Sequence, residues 1–592
     1  MGHNFHIPVL GLGFSIDTPL KVARYGISSV VSIVDDELTE RMRAYHSKQN
    51  KLSYHPISKK EEDYRAKRIT AYLSLLDHLV NEQFEALKKL PFEPGNDLCK
   101  YFELLPEGSQ LKQGYDLMCI YPEGESKVIF QQILRSRLKR GTVDVNIMAK
   151  VDKMNFKNHE FTGQENTDAL AALRGFANSS LESSLILSAG MNPHLYSYIA
   201  NFPDFFPNAD GVIKKKIILK VSDFRSAFIQ AKFLAKKGLW ISEFRVESGL
   251  NCGGHAFATE GFLLGPILEE FKQKRNLTTD ELFKGYSTVL AEKNIVLNTI
   301  PQQKVSVQGG IGTAKENEFL LNYYKVDATG WGSPFLLVPE VTNVDNDTLD
   351  QLKTAKEEDY YLSNVSPLGV LFNNFKYSSI NHLKAERIAK GRPGSPCTKK
   401  YLVSNTEFTT EPICTASREY QNLKIKQLNS LNLDESNYKQ QFDQITEKVC
   451  LCEGLCNASY IKYDILKPKE NKAVAICPGP NLAYFSQTYS LEEMAKHIYG
   501  KLDLLAQIKR PHFLIKELNL YIDYLQTEIQ NQVADFNEKK KKSLVNFKQQ
   551  LQDGISYYKD LYAQIATQTS FLKEMNYNDL LASEVKLQNT TI

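Results

Sequence analysis

The sequence predicts an α/β chain organised around a (β/α)8 TIM barrel, with a helical insertion and an α-rich C-terminal extension. Eight short β-rich runs recur in order, and most are followed by an amphipathic helical segment. The runs are continuously apolar rather than alternating, as strands of a parallel sheet covered on both faces must be. Eight strand–helix units close naturally into a barrel. A doubly wound open sheet is the alternative.

The runs are IPVLGLG (7–13), SSVVSIV (28–34), VDVNIMA (143–149), SLILSAG (184–190), KIILKVS (216–222), LWISEFRVE (239–247), KVSVQGG (304–310) and VDATGWG (326–332). Helical patterns such as PLKVARYG, ALAALRGFANS, RSAFIQAKFLAKKG and KENEFLLNYYK lie between them. A mainly helical insertion, 36–142, separates the second and third runs, and a long excursion, 258–303, follows the sixth. Beyond about residue 345 the barrel pattern stops. The expected organisation is a barrel over 1–345, a loop-rich cysteine-bearing region over 346–485 and a helical region over 486–592.

Composition narrows the class. Hydrophobic residues make up 42% and charged residues 24%, and 72 basic against 69 acidic residues leave a net charge of +3. That balance carries no electrostatic footprint for nucleic acid. The lysine run EKKKKS (538–543) reads as one solvated helix face. No apolar run approaches the roughly 18 residues of a membrane span. The N-terminal stretch MGHNFHIPVLGLGF lacks the basic and apolar regions of a signal peptide. Nine unevenly spaced cysteines do not form a secreted disulfide framework. A cytoplasmic protein acting on a small molecule is expected, without nucleic-acid or membrane partners.

In barrels of this kind the chemistry sits at the C-terminal ends of the strands, and phosphate groups favour the loops after strands seven and eight. Here QGGIGT (308–313) and TGWGSPF (329–335) occupy those two positions. Glycine turns leading into helices present backbone N–H groups to an anion. Asn146 stands in an otherwise apolar strand and needs hydrogen-bond partners. SGLNCGGHAF (248–257) clears the side chains before His255, as a planar ligand lying against backbone requires.

The ordered set IPVLGLGFSIDTPLKVARYGISSVVSI, VNIM, SAGMNPHLY, NCGGH, QGGIGT and GWGSPF resembles the nitronate monooxygenase (2-nitropropane dioxygenase) family. It equally resembles the FMN-dependent enoyl-acyl-carrier-protein reductases on the same barrel. The matching segments span about 7–35 and 143–340. The resemblance implies FMN across the barrel mouth, with NAD(P)H as a candidate reductant. It makes Asn146 and Gly254 ring contacts and His255 the catalytic acid–base. Gly309, Gly310 and Gly312 would line one side of the phosphate, and Gly332 and Ser333 the other. Asn251 stands where the family has an acidic residue, Cys252 where it has a small alanine, and the insertion 36–142 has no counterpart. The activity implied is flavin-mediated oxidation of a small anionic nitronate-type substrate with oxygen. The alternatives are an NAD(P)H-dependent enoyl-thioester reductase and a non-catalytic binding or assembly protein on the same barrel.

Six of the nine cysteines, Cys397, Cys414, Cys450, Cys452, Cys456 and Cys477, follow the barrel. The C-x-C-x3-C spacing of 450–456 matches neither paired zinc knuckles nor a ferredoxin run. Buried thiols without metal are expected, with an iron–sulfur or zinc site as the alternative. The C-terminal helices are expected to pack on the barrel or against a second copy of the chain.

Overall fold

The computed structural model describes residues 2–148, 152–157, 159–188, 190–253, 260–530, 538–565 and 575–592. Eight parallel strands form a closed barrel: β1 (Phe5–Ile7), β2 (Ser28–Ser32), β3 (Val143–Ile147), β4 (Ser184–Leu187), β5 (Lys216–Val221), β6 (Ile241–Glu247), β7 (Lys304–Gln308) and β8 (Ala328–Gly330). The order around the barrel is β1-β8-β7-β6-β5-β4-β3-β2. Registers such as Ser32↔Asn146, Asn146↔Ile186 and Glu247↔Gln308 align the C-terminal strand ends.

Each of the eight apolar runs supplies one strand. Their lack of alternation has a direct cause: Leu185, Ile186 and Leu187 of β4 are all buried, so both faces of the strand need apolar side chains. The first run is shifted. Only Ile7 of 7–13 lies in β1, because Pro8 has no N–H for a ladder and the chain turns at Gly11 with φ +117°. Helix starts follow side-chain capping. Asp223 accepts the Ser226 N–H at 2.6 Å and opens Phe224–Ala235.

The chain forms two compact units. The first comprises Met1–Ile217, Cys252–Ala256 and Gly332–Ala495. Its insertion is helical as expected, with helices Asp36–Gln49, Tyr64–Lys89, Asp97–Glu103, Gln110–Ile120 and Glu125–Ser136. Tyr64–Lys89 buries Ile69, Tyr72, Leu73, Leu76 and Val80. Gly175 lets helix Asp168–Ala177 approach it, since a Cβ there would stand 2.7 Å from Ile69. The cysteine-bearing segment closes over strand ends within this unit. The Gly13 N–H donates to the Leu455 carbonyl at 2.8 Å, and Met148, directly after β3, packs on a core that includes Tyr401, Cys450, Cys452 and Cys477.

The second unit comprises Ile218–Asn251, Phe257–Trp331 and Lys496–Ile592. Its long helix Leu264–Glu292 meets the C-terminal helix Glu538–Ile565 through two glycines. A Cβ on Gly265 would stand 2.4 Å from the Tyr558 ring, and one on Gly554 would stand 2.5 Å from Leu263. Helix Phe513–Gln530 buries Leu514, Leu518, Tyr521, Ile522 and Leu525. Among the described residues no helix is long and apolar enough to cross a membrane.

Candidate functional site

In the second unit, the ends of β5, β6 and β7 bring one carboxylate together with three donors. Glu247, the last residue of β6, accepts on Oε1 from Asn251 Nδ2 at 2.7 Å, Gln308 Nε2 at 2.8 Å and Lys220 Nζ at 3.2 Å. The side chains of Glu247 and Lys220 are 16% and 21% exposed, wet enough to meet a small solute but shielded enough to act on it. Sequence reading missed this cluster. Asn251 stands where the family resemblance has an acidic residue, and the structure places a carboxylate on its amide from four residues upstream.

The glycine turn after β7 has two halves with different fates. Gly309 and Gly310 are buried at φ +109° and +80°, and no acceptor for their N–H groups is found among the described residues. Buried backbone donors are almost always paired, so an anion at this turn would satisfy two of them. Gly312 differs from the expectation. Its N–H donates to Glu316 Oε2 at 2.8 Å, as the Thr313 N–H does at 3.2 Å. Glu316 closes a capping box at the start of helix Ala314–Asn322 and pairs with Arg510 at 2.8 Å. Burial alone would raise the Glu316 carboxyl, but Arg510, His512 and the Gly312 N–H together hold it below the usual carboxylate range. Here the helix N-terminus receives the protein's own anion, and Gly312 is engaged before any ligand arrives. Trp331, directly after β8, has a buried Nε1 without a partner.

The loop after β6 is fixed by helix Phe513–Gln530. Glu517 accepts from Ser248 Oγ at 2.7 Å, the Gly249 N–H at 3.1 Å and the Leu264 N–H at 2.8 Å. Burial raises its carboxyl above the usual range. The role is structural: it ties off N–H groups on either side of 250–263.

In the first unit, Gly332 and Ser333 follow β8. Gly332 is needed for packing, because a Cβ would stand 3.0 Å from Cys252 Cβ. Ser333 Oγ accepts the Gly479 N–H at 2.8 Å. Cys252 is buried 3.7 Å from the Cys477 carbonyl, and burial pushes its thiol up to about 11, so it is neither thiolate nor nucleophile near neutrality. Gly253 adopts φ +111° with its Cβ direction 2.6 Å from the Val9 carbonyl, so the shelf glycine is obligatory. Asn146 is half-buried at the end of β3, and its carbonyl accepts the Ile33 N–H at 3.2 Å. Gly254 and His255 lie outside the described residues.

A second buried cluster forms after β2. Asp35 meets Lys399 Nζ at 2.5 Å and Cys456 Sγ at 3.2 Å, and Asp36 binds Arg65 and Arg68 at 2.9 Å each and Tyr401 at 2.8 Å. Every charge in it is paired within the chain. It anchors the insertion and the extension to the strand end.

No protein-family model and no curated protein matches the sequence. Similar solved structures include the enoyl reductase domain of MlnA from the macrolactin biosynthesis cluster of Bacillus amyloliquefaciens, at 12% identity and TM-score 0.33 over 69% of this chain and 87% of that one. FabK from Thermotoga maritima is similar at 12% identity and TM-score 0.32 over 68% and 83%. Nitroalkane oxidase from Streptomyces ansochromogenes is similar at 9% identity and TM-score 0.30 over 65% and 87%. Likeness at this level fixes neither cofactor nor reaction for the present chain, and the functional argument rests on its own residues.

Proposed function

We propose that the protein is an FMN-dependent oxidoreductase that oxidises a small anionic, nitronate-type substrate with oxygen. The observation that carries this reading is the pair of buried, unsatisfied N–H groups of Gly309 and Gly310 at the end of β7. A phosphate satisfies such donors, and the end of strand seven is where barrels of this class place one. The residues therefore fit the phosphate of FMN at Gly309 and Gly310, with Gly312 excluded by its bond to Glu316. Gly332, Ser333, Asn146 and Gly254 retain the roles the family resemblance gives them, as proposals.

When bound, FMN supplies the two-electron acceptor and its reoxidation by oxygen. The chain supplies the rest. Lys220, held 3.2 Å from Glu247, offers a cation to an anionic substrate, and Glu247 holds or takes a proton beside it. His255 is the second acid–base group in this reading. Its location in sequence, two residues after the Gly253 shelf, supports the assignment.

A visible spectrum of the purified full-length protein tests the proposal. A bound flavin that heat and chromatography release as FMN is expected. FAD, or a colourless protein that takes up no added FMN, removes the assignment and leaves a non-catalytic barrel. Bleaching by NADH or NADPH without nitronate turnover would instead favour the enoyl-thioester reductase.

The role of Glu247 has its own test. Glu247→Gln keeps the size of the side chain and removes its charge. Turnover should fall by about a hundred- to ten-thousand-fold, the usual contribution of a positioned acid–base group, with flavin content unchanged. An unchanged rate would reduce Glu247 to a bracket for Asn251 and Gln308.

A further inference from the structure

Four cysteines far apart in sequence meet within the first unit. The Cys397 and Cys414 thiols interact directly, as do those of Cys450 and Cys452. Each member of one pair also lies within electrostatic reach of both members of the other. Backbone bonding builds the arrangement. The Ser395 N–H donates to the Ala416 carbonyl at 2.9 Å and the Arg418 N–H returns to Ser395 at 2.8 Å, which sets the 394–397 turn beside Cys414. Gly394 is required there, because a Cβ would stand 2.6 Å from the Arg418 nitrogen. Cys450 is the N-cap of helix Leu451–Lys462, and Cys452 lies in its first turn.

Three further features point to a ligand between the pairs. Cys397 and Cys414 line a cleft of about 400 Å³, and Ser395 belongs both to this cleft and to a smaller one lined by Cys450. Sulfurs of Cys397, Cys414 and Cys450 each face a backbone N–H two or three residues on, from Lys400, Ala416 and Glu453. N–H groups directed at cysteine sulfur are a standard feature of metal–thiolate loops, where they tune the cluster. Finally, the surroundings are cationic. Arg418 and Lys400 line the larger cleft together with Glu419, Lys384, Arg387 and Lys448 line the smaller, so cations outnumber the carboxylate, and Arg418 Nε is buried with no hydrogen-bond partner. Four thiolates need such compensation, and four neutral thiols do not.

We propose that Cys397, Cys414, Cys450 and Cys452 are the four ligands of an iron–sulfur cluster. Among the described residues no three His, Cys, Asp or Glu side chains are gathered closely enough to hold a single metal ion. Cys456 belongs to Asp35, at 3.2 Å, and Cys477 faces Cys252. The ligand set is C-x16-C-x35-C-x-C.

The experiment is anaerobic purification of the full-length protein from iron-supplemented cells. Iron and acid-labile sulfide are measured, with visible and electron paramagnetic resonance spectra before and after dithionite. About two or four iron per chain with matching sulfide is expected. Cys397→Ser combined with Cys450→Ser should lose both, and Cys119→Ser, at an exposed cysteine in the insertion, should lose neither. If the double variant fails to fold, alkylation of the wild type decides: the four cysteines should be protected until iron is chelated, then react together. No iron after purification and after reconstitution with ferrous iron and sulfide would overturn the proposal. So would stoichiometric zinc without sulfide, or iron that persists in a folded double variant. Iron and FMN are measured separately, so this proposal and the flavin reading fail independently.

Discussion

Gly310→Val is expected to strip the flavin from the purified protein. Gly310 sits at φ +80°, a conformation a β-branched residue adopts only at a cost of about 1–3 kcal/mol. Its Cβ would stand 2.6 Å from the far end of the Leu250 side chain and 3.0 Å from Leu250 Cβ. Any local shift that accommodates valine re-aims the N–H groups of Gly309 and Gly310. Each charge-assisted bond to a phosphate contributes about 1.5–3 kcal/mol, so losing both weakens binding by roughly a hundred- to ten-thousand-fold. Flavin retention after gel filtration and the Kd for added FMN are the measurements. Gly310→Val combined with Leu250→Ala separates the side-chain clash from binding, because it removes the 2.6 Å contact and should recover part of the thermal stability without recovering flavin. Full FMN occupancy in Gly310→Val would remove the phosphate from this turn.

Glu316→Ala should cost the second unit about 3–5 kcal/mol, the usual penalty for leaving one member of a buried ion pair behind. Glu316 and Arg510 are 1% and 7% exposed, so neither charge is rescued by water. The same carboxylate accepts from Gly312, Thr313 and Phe513, so its removal also unpairs the start of helix Ala314–Asn322 and the entry to helix Phe513–Gln530. The sign of the pH dependence follows from the direction of the shift. The folded-state value lies below the unfolded one, so the carboxylate's stabilisation is fully present above about pH 4.3, the ordinary glutamate value. It is lost as the pH falls through the folded value. The gap between wild type and variant in denaturant midpoint should therefore be constant at neutral pH and narrow only in acid. A gap that widened in acid, or a neutral-pH loss under 1 kcal/mol, would show that Arg510 finds another partner.

The barrel was legible because its physics is local. A strand buried on both faces must be apolar at every position, a requirement visible in SLILSAG or KIILKVS without any knowledge of neighbours. Glycines at the ends of the seventh and eighth runs were legible for the same reason. Gly309 and Gly310 adopt positive φ, and a sequence records that need directly. Strand boundaries were less so, as β1 shows: the apolar run continues through Val9 and Leu10, but a proline ends the ladder one residue after Ile7.

What the sequence by itself determined is thus the closed (β/α)8 architecture, the helical insertion and the place of the glycine turn after β7. The tertiary structure alone decided which polar groups meet. Glu247 gathers Lys220, Asn251 and Gln308 because β5, β6 and β7 are neighbours in the barrel. Gly312 is taken by Glu316, whose charge is balanced by Arg510 from 194 residues away. Cys397 and Cys414 come to Cys450 and Cys452 through a bridge between Ser395 and Ser417 that no spacing rule encodes. Backbone conformation and burial act on each residue where it stands, so they leave a local trace. Electrostatic pairing acts between residues brought together by chain closure, and its trace exists only in the folded chain.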